Sequence, residues 1–329
     1  MRVFAIFVAL LMPLVSGAQS LGGLGGISGD AFSLSVTPQY PAPFGQATVS
    51  LVSTALDLTR ATLTVLVNGK ETYKGSVRSF SVPLGKTGSA TSVKITVSLD
   101  GANHTKTLTL VPQDVSLVAE PISSAPPLYR GKPHVPLEGK VRVVALANLR
   151  DANGTTANPA SYSYAWTVDG VRISNSSGVG KSAIIIDSPL EYRTRDISVA
   201  VTSGGGTLVG GAALSLSAHR PVVRIYAIDP LQGIRYDRAL SGEYAVSGAE
   251  STLFAAPFSL PTTNGAPSIQ WFINGAPAQT GNTITLRPTG NGQGNASLSL
   301  VASAGALATA LASLSLSFGA PSGGNFFGL

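Results

Sequence analysis

The sequence predicts an all-β chain of three tandem antiparallel β-sandwich domains, on three observations. First, Tyr162, Tyr164, Trp166 and Val168 alternate with Ser163, Ala165, Thr167 and Asp169. Successive side chains of an extended strand point to opposite faces, so this stretch has one aromatic, core-facing side and one wet side. Asp169-Gly170 follows, a dipeptide that tolerates the positive φ of a two-residue hairpin turn. The pattern recurs from Trp271 to Asn274-Gly275, and again from Val65 to Asn68-Gly69 with valine in place of tryptophan. Second, Gly69, Gly170 and Gly275 stand 101 and 105 residues apart, which fits one small sandwich of roughly 100 residues. Third, apolar and polar residues alternate along the chain, turn signals lie close together, and no stretch carries a convincing 3.6-residue period.

At 329 residues the chain suits two or three cores better than one. It is 44% apolar and only 12% charged, about half the usual charged share. Disordered chains are poor in apolar residues; here they are plentiful and alternate, so the chain folds. The net charge is +6, but basic residues are scattered singly, and the densest cluster, Arg193 and Arg195, is flanked by Glu191 and Asp196. Nucleic-acid binding needs a concentrated basic stripe, so no nucleic-acid partner is expected, and the charge reads as a solubility term. Cysteine is absent. That excludes disulfides, thiolate metal sites and thiol nucleophiles, and leaves burial alone to stabilise the fold.

Residues 1–18 read as a signal peptide. Arg2 is the positive start, Val3 to Val15 the apolar core, and Ser16-Gly17-Ala18 the small residues before a cut at Gln19. The other reading is a retained anchor, against which the apolar run falls short of the ~20 residues of a spanning helix. No later stretch reads as a membrane helix. Residues 19–30, rich in glycine, form a flexible lead.

Domain 1, residues 31–113, opens on Phe32, Leu34 and Val36 and is interrupted from Pro38 to Pro43, since proline cannot donate to a sheet. Strands follow at Ala47–Leu51, around Val65, and at Val93, Ile95, Val97 and Leu99. Asp100-Gly101 then turns the chain into Thr105–Leu110. Domain 2, residues 114–218, begins with Val115–Ala119 and makes a proline-rich excursion between Pro121 and Pro136. It continues through Val141–Leu146, a turn at Arg150–Gly154, and the tryptophan strand. Ala183–Ile186 reads as a strand buried on both faces; Ile197, Val199 and Val201, then Leu214–Leu216, complete the domain. Domain 3, residues 219–319, opens on Val223, Ile225 and Ala227 and has its own excursion from Asp229 to Arg238. Strands at Leu253–Leu260, Trp271, Thr283–Leu286, Ser297–Leu300 and Leu314–Phe318 follow. Residues 320–329 form a flexible tail carrying Phe326 and Phe327.

Tyr164, Ala165 and Trp166 with Asp169-Gly170, and Trp271 with Asn274-Gly275, resemble the central strand and turn of bacterial immunoglobulin-like (Ig-like) and polycystic-kidney-disease-type (PKD-like) modules. Leu149 to Thr155 is similar to the turn before that strand in the Ig-like repeats of bacterial adhesins. The resemblance covers most of residues 31–318. It implies Ig-like sandwiches in an exported surface protein and brings no catalytic residues. The first domain lacks the tryptophan, and none has the inter-sheet cysteine pair of antibody domains.

Several stretches invite a chemical reading. Asn175 to Ser182 approaches a phosphate-binding loop, but Asn175 stands where glycine is needed and strand-forming Ala183–Ile186 follows where a helix is needed, so a turn is expected. Asp151 to Gly154 resembles the opening of a calcium loop, yet Tyr162 occupies the position of the bidentate glutamate; a turn is expected, with weak inter-domain calcium binding as the alternative. His104, His134 and His219 are isolated in sequence and read as surface or linker residues. Asp229, Asp237, Glu243 and Glu250 are the carboxylates a glycosidase would draw on, at spacings common in loops. No catalytic, metal or cofactor residues are assigned, and no cofactor is expected. Val65, Tyr164, Trp166 and Trp271, in phase with apolar neighbours, are assigned to the core. Phe272, on the opposite face to Trp271, is a candidate contact. Tyr129 and Arg130 in the first excursion, and Arg235 and Tyr236 in the second, combine residue types enriched at binding hot spots. The excursions read equally as inter-domain braces or as partner surfaces. Phe326 and Phe327 are costly to expose without a partner.

The chain therefore reads as a non-enzymatic structural or adhesive protein of the cell envelope, exported to the periplasm, cell surface or medium, with a protein or glycan partner. An array of carbohydrate-binding modules is the alternative.

Overall fold

The computed structural model describes residues 31–246, 249–289 and 293–319. The expected signal peptide, glycine-rich lead and C-terminal tail, with Phe326 and Phe327, lie outside the described residues. The described chain is built of strands, with two short 3₁₀ turns at Pro159–Ser161 and Ser174–Ser176. The strands form three successive pairs of sheets.

In the first pair, β1 (Ser33–Thr37), β2 (Gln46–Val52) and β5 (Phe80–Pro83) face β3 (Thr62–Val67), β4 (Lys70–Ser76), β6 (Thr91–Leu99) and β7 (Ala102–Leu110), with sheet orders β1-β2-β5 and β4-β3-β6-β7. The second pair comprises β8 (Asp114–Pro121), β9 (Lys140–Asn148), β10 (Ser163–Val168), β11 (Val171–Arg172), β12 (Gly178–Val179), β13 (Ala183–Asp187), β14 (Thr194–Thr202) and β15 (Val209–Ser217). Its orders are β13-β9-β8 and β11-β10-β14-β15, with β12 also on β10. The third contains β16 (Val222–Asp229), β17 (Gly233–Ile234), β18 (Gly242–Val246), β19 (Ser251–Phe258), β20 (Ser268–Ile273), β21 (Ala276–Thr280), β22 (Thr283–Leu286), β23 (Gly294–Ser303) and β24 (Thr309–Phe318). Its orders are β17-β16-β19-β22 and β18-β24-β23-β20-β21. The arrangement matches an Ig-like sandwich, in which the third, sixth and seventh strands share one sheet and the first, second and fifth the other.

Each pair encloses its own apolar core, gathered from its own stretch of chain. Val65, Trp166 and Trp271 are fully buried and occupy the same place in the three cores. Across the ladder they face Ile95, Val199 and Leu300, each itself buried. Burial of a side chain of this kind contributes ~1.5–3 kcal/mol. Tyr164 is also buried, and the Tyr162 hydroxyl donates to Ala157 O (2.9 Å) and accepts from Leu149 N–H (3.2 Å).

The three glycine bends join equivalent strands: β3 to β4, β10 to β11 and β20 to β21. Asn68, Asp169 and Asn274 have φ of 49°, 50° and 51°, and Gly69, Gly170 and Gly275 have φ of 82°, 79° and 81°. Positive φ at both central residues is what a type I′ turn requires, and it explains the Asx-Gly pair. Each Asx residue also clasps the neighbouring long strand. Asn68, Asp169 and Asn274 donate their backbone N–H to Ser92, Asp196 and Ser297 carbonyls (2.8, 2.8 and 2.9 Å). Their Oδ1 atoms accept the N–H of the same residues (2.9, 2.9 and 2.8 Å).

Two expectations are corrected. Ala183–Asp187 is not buried on both faces: Ile184 and Ile186 point inward, while Ile185 is 58% exposed. Among the described residues the strand is the edge of its sheet, pairing only with β9, and no third layer covers its outer side. The third unit is also not purely antiparallel. After β17 the chain crosses to the other sheet, and β18 runs parallel to β24, Gly242 opposite Leu314 and Val246 opposite Phe318.

Candidate functional site

The residues singled out from the sequence gather at the two joints between successive sheet pairs and on the outer face of the third. At the first joint, Gln113, in the short connection between β7 and β8, is almost fully buried. Its amide donates to Arg150 O (2.9 Å) and accepts from Arg150 N–H (2.8 Å). Gly88 N–H donates to Pro112 O (2.9 Å), and its φ of +80° is one that L side chains rarely adopt. A Cβ on Gly88 would overlap the Asp151 carbonyl oxygen, and one on Gly211 would overlap the Tyr40 ring, so backbone meets backbone or ring without intervening side chains. Burial holds the Tyr40 phenol above its ordinary pKa. The calcium-like turn sits at this joint. Asp151 Oδ1 accepts the N–H groups of Asn153 (3.0 Å) and Thr155 (2.8 Å), so its carboxylate is occupied in an Asx turn.

At the second joint the first excursion crosses to the third sheet pair. Ser124 N–H donates to Leu260 O (2.7 Å), Ser259 N–H to Ser124 O (3.0 Å), and Thr262 N–H to Ile122 O (3.1 Å). The Ser124 hydroxyl accepts from Leu260 N–H (3.1 Å), and Ser123 bridges Pro261 antiparallel. These bonds form a short ladder shared by two units. Beyond it, Tyr129 meets Phe258 edge to face, with ring centroids 5.5 Å apart. Glu138 Oε2 accepts Leu307 N–H (3.0 Å), and a Cβ on Gly305 would overlap the same carboxylate. Tyr129 remains 42% exposed, Arg130 is exposed, and Leu128 between the prolines and Tyr129 is 91% exposed with φ of 64°.

The second excursion stays within its own unit. Asp229 Oδ1 accepts the N–H groups of Leu231 (2.8 Å) and Gln232 (2.9 Å), and these bonds hold its carboxyl below the usual range. The Arg235 guanidinium grips Asp237 through two bonds (3.0 and 3.1 Å), which lowers the Asp237 pKa and raises that of Arg235. The Tyr236 ring packs against Tyr226 (5.3 Å) and Phe254 (6.3 Å) in a small aromatic cluster on the outer face of the β16–β19 sheet. Its hydroxyl is buried and finds no hydrogen-bond partner among the described residues, and desolvation raises its pKa, with Tyr226 adding to the shift. Phe272 is half-buried on β20 where the register with β21 shifts by one residue, opposite Ser299 and Pro277.

The remaining stretches of chemical interest are engaged in the fold. Asn175 to Ser182 closes over Trp166: the indole N–H donates to Lys181 O (2.8 Å), and the Ser177 hydroxyl accepts Trp166 N–H (3.0 Å). Trp271 repeats the indole bond to Gly281 O (2.8 Å). Of the four acids considered for glycoside hydrolysis, Asp229 caps its turn, Asp237 pairs with Arg235, and Glu250 pairs with Arg287 (2.8 Å), while Glu243 is exposed on β18. Among the described residues no group of three or more His, Asp or Glu is placed to hold a metal ion, and no helix is long and apolar enough to cross a membrane. A shallow depression of about 380 Å³ lies between Glu191, Tyr192, Arg193 and Arg220, and a second of about 310 Å³ between Asn158, Ser161, Gly204 and Leu208. Nothing local marks Gln113, Ser124 or Glu138 as joint residues, since their partners are distant in the chain.

No family model and no curated protein matches the sequence. Solved structures that align with the chain include the three N-terminal domains of the highly immunogenic outer capsid protein of bacteriophage RB49, at 12% identity over 88% of this chain and 99% of that one, TM-score 0.25. Immunoglobulin domains 1–5 of Sidekick-1 align at 12% identity over 87% of this chain and 58% of that one, TM-score 0.31. The central fibronectin-III array of RIM-binding protein aligns at 10% identity over 87% and 96%, TM-score 0.26. On its own sheet orders and its three separate cores, the chain is an all-β tandem array of Ig-like sandwiches.

Proposed function

We propose that the protein is a non-enzymatic, exported structural or adhesive component of the cell envelope, made of three Ig-like domains spanning residues 31–113, 114–218 and 219–319. The observation that carries this reading is the construction of the two joints. Linkers between independent domains are normally exposed and crossed by few contacts. Here the side-chain amide of Gln113 on the Arg150 backbone and the backbone ladder at Ser124 set one sandwich against the next. An array held in this way keeps its surface loops at fixed spacings, which serves a spacer or a multi-point binder. The apolar start of the chain and the small residues at Ser16-Gly17-Ala18 support export.

Cell fractionation with N-terminal sequencing tests the reading. The expected product lies outside the cytoplasm and begins at Gln19; a cytoplasmic chain that retains residues 1–18 would overturn it. The partially exposed Tyr129 ring favours a second reading, glycan binding. In that case glycan-array binding would disappear in Tyr129→Ala or Phe272→Ala, and flat binding across sugars would remove it.

A further inference from the structure

We propose that His134 and His219 form a two-imidazole site for a divalent transition-metal ion beside the second joint. The two residues are separated by most of the second unit in sequence but stand on neighbouring extended segments. Pro136 and His219 form a parallel bridge, and His219 N–H donates to Val135 O (2.8 Å). His134 lies two residues before Pro136 and so shares its face, which makes the two imidazoles diagonal neighbours across the bridge. The His134 carbonyl is held in turn by the Ser123 hydroxyl (2.6 Å). Both backbones are thus pinned before any ligand arrives.

The ring centroids are 4.7 Å apart and the planes are inclined by 37°. Two imidazoles bound to one ion, with metal–nitrogen bonds of about 2.0–2.1 Å, place their ring centres about 5 Å apart. The observed centroid spacing is close to that distance. Both side chains are exposed, and among the described residues no hydrogen bond reaches either ring, so their nitrogens are available as ligands. Arg220, next to His219, is paired with Glu191 and the Tyr192 hydroxyl, which offsets its charge beside an incoming cation. No third protein ligand completes the set among the described residues. Water fills the other positions, and the site is open and exchangeable. Neutral imidazole favours Cu²⁺, Ni²⁺ and Zn²⁺ over the oxygen-seeking Ca²⁺ and Mg²⁺, with Cu²⁺ bound most tightly.

The test uses the full chain, with calorimetric titration of Ni²⁺ and electron paramagnetic resonance of Cu²⁺ at one equivalent. One binding event is expected, and the Cu²⁺ spectrum should carry coupling to two imidazole nitrogens. His134→Ala and His219→Ala should each weaken Ni²⁺ binding on the order of 100-fold, through loss of the intramolecular second arm. His104→Ala, on β7 of the first unit, should leave it unchanged. Ni²⁺ should raise the unfolding temperature of the parent chain but of neither joint variant. The rings are exposed, so both variants should fold, and His134→Gln provides a polar control of similar size. Wild-type affinity in either single variant, or coupling to only one imidazole, would overturn the proposal.

Discussion

Trp166 and Trp271 each do two things at once: the ring fills the centre of a sandwich, and the indole N–H satisfies a carbonyl of the segment that folds over it. Replacement by phenylalanine keeps most of the volume and removes the bond, leaving Lys181 O or Gly281 O without its donor, at a cost of about 1–3 kcal/mol. Replacement by alanine adds a cavity and should cost about 3–5 kcal/mol. The Asx clasps belong to the same scale. Asp169→Ala removes the acceptor for Asp196 N–H and a residue suited to positive φ, and should destabilise the second unit by about 1–2 kcal/mol. Because the first unit lacks tryptophan, urea unfolding followed by tryptophan emission in a Trp271→Phe background isolates the second unit. The turn itself was legible in the sequence, since Asx-Gly chemistry is local. The clasp was not, because Asn68, Asp169 and Asn274 reach residues 24, 27 and 23 positions away, and those pairings are fixed by strand register.

At the scale of elements, alternation and turn residues made most central strands legible, and they failed at the edges. Ala183–Asp187 has the composition of a strand covered on both sides, but position in the sheet decides exposure, and composition does not report position. The two excursions illustrate the same limit. Both follow the first strand of their unit and both carry Tyr and Arg, yet one completes a ladder with another unit while the other satisfies its polar groups internally. Asp229 is the anchor of the internal one. Its folded pKa lies below the ordinary carboxylate value because two backbone N–H groups stabilise the charged form. Its contribution is therefore complete above the unfolded pKa of ~3.9 and is lost as pH falls through the lowered folded value. Hydrogen exchange should find the Leu231 and Gln232 amides protected near neutral pH and released in Asp229→Ala. Equal exchange in the parent and the variant would show that the carboxylate does not hold the loop.

For the whole molecule, the glycines divide into two kinds. Gly69 has nothing within 4 Å of a would-be Cβ, so Gly69→Ala meets only the backbone penalty of its φ of +82°, roughly 1–2 kcal/mol. Gly88 and Gly211 stand where a Cβ would enter the neighbouring unit. A Cβ on Gly211 would also meet Val199 O of its own sheet, whereas one on Gly88 meets Arg150 and Asp151 of the second unit, so Gly88→Ala should open the first joint while leaving the three cores folded. Small-angle scattering should register a larger radius of gyration with the tryptophan unfolding transitions little changed; an unaltered radius would mean the joint absorbs the methyl group. The bend at Gly69 is legible in its Asn-Gly pair, but nothing in the sequence sets Gly88 or Gly211 apart as joint residues.

The Ser124 ladder also bears on the order in which the chain is made. Ser124 leaves the ribosome 136 residues before Leu260, and Glu138 leaves 169 residues before Leu307. At typical synthesis rates the interval to Leu260 is on the order of 10 s. The second sandwich thus has time to close around Trp166 while its outlying arm still hydrogen-bonds to water, and the second joint sets only once Leu260 and Leu307 have emerged.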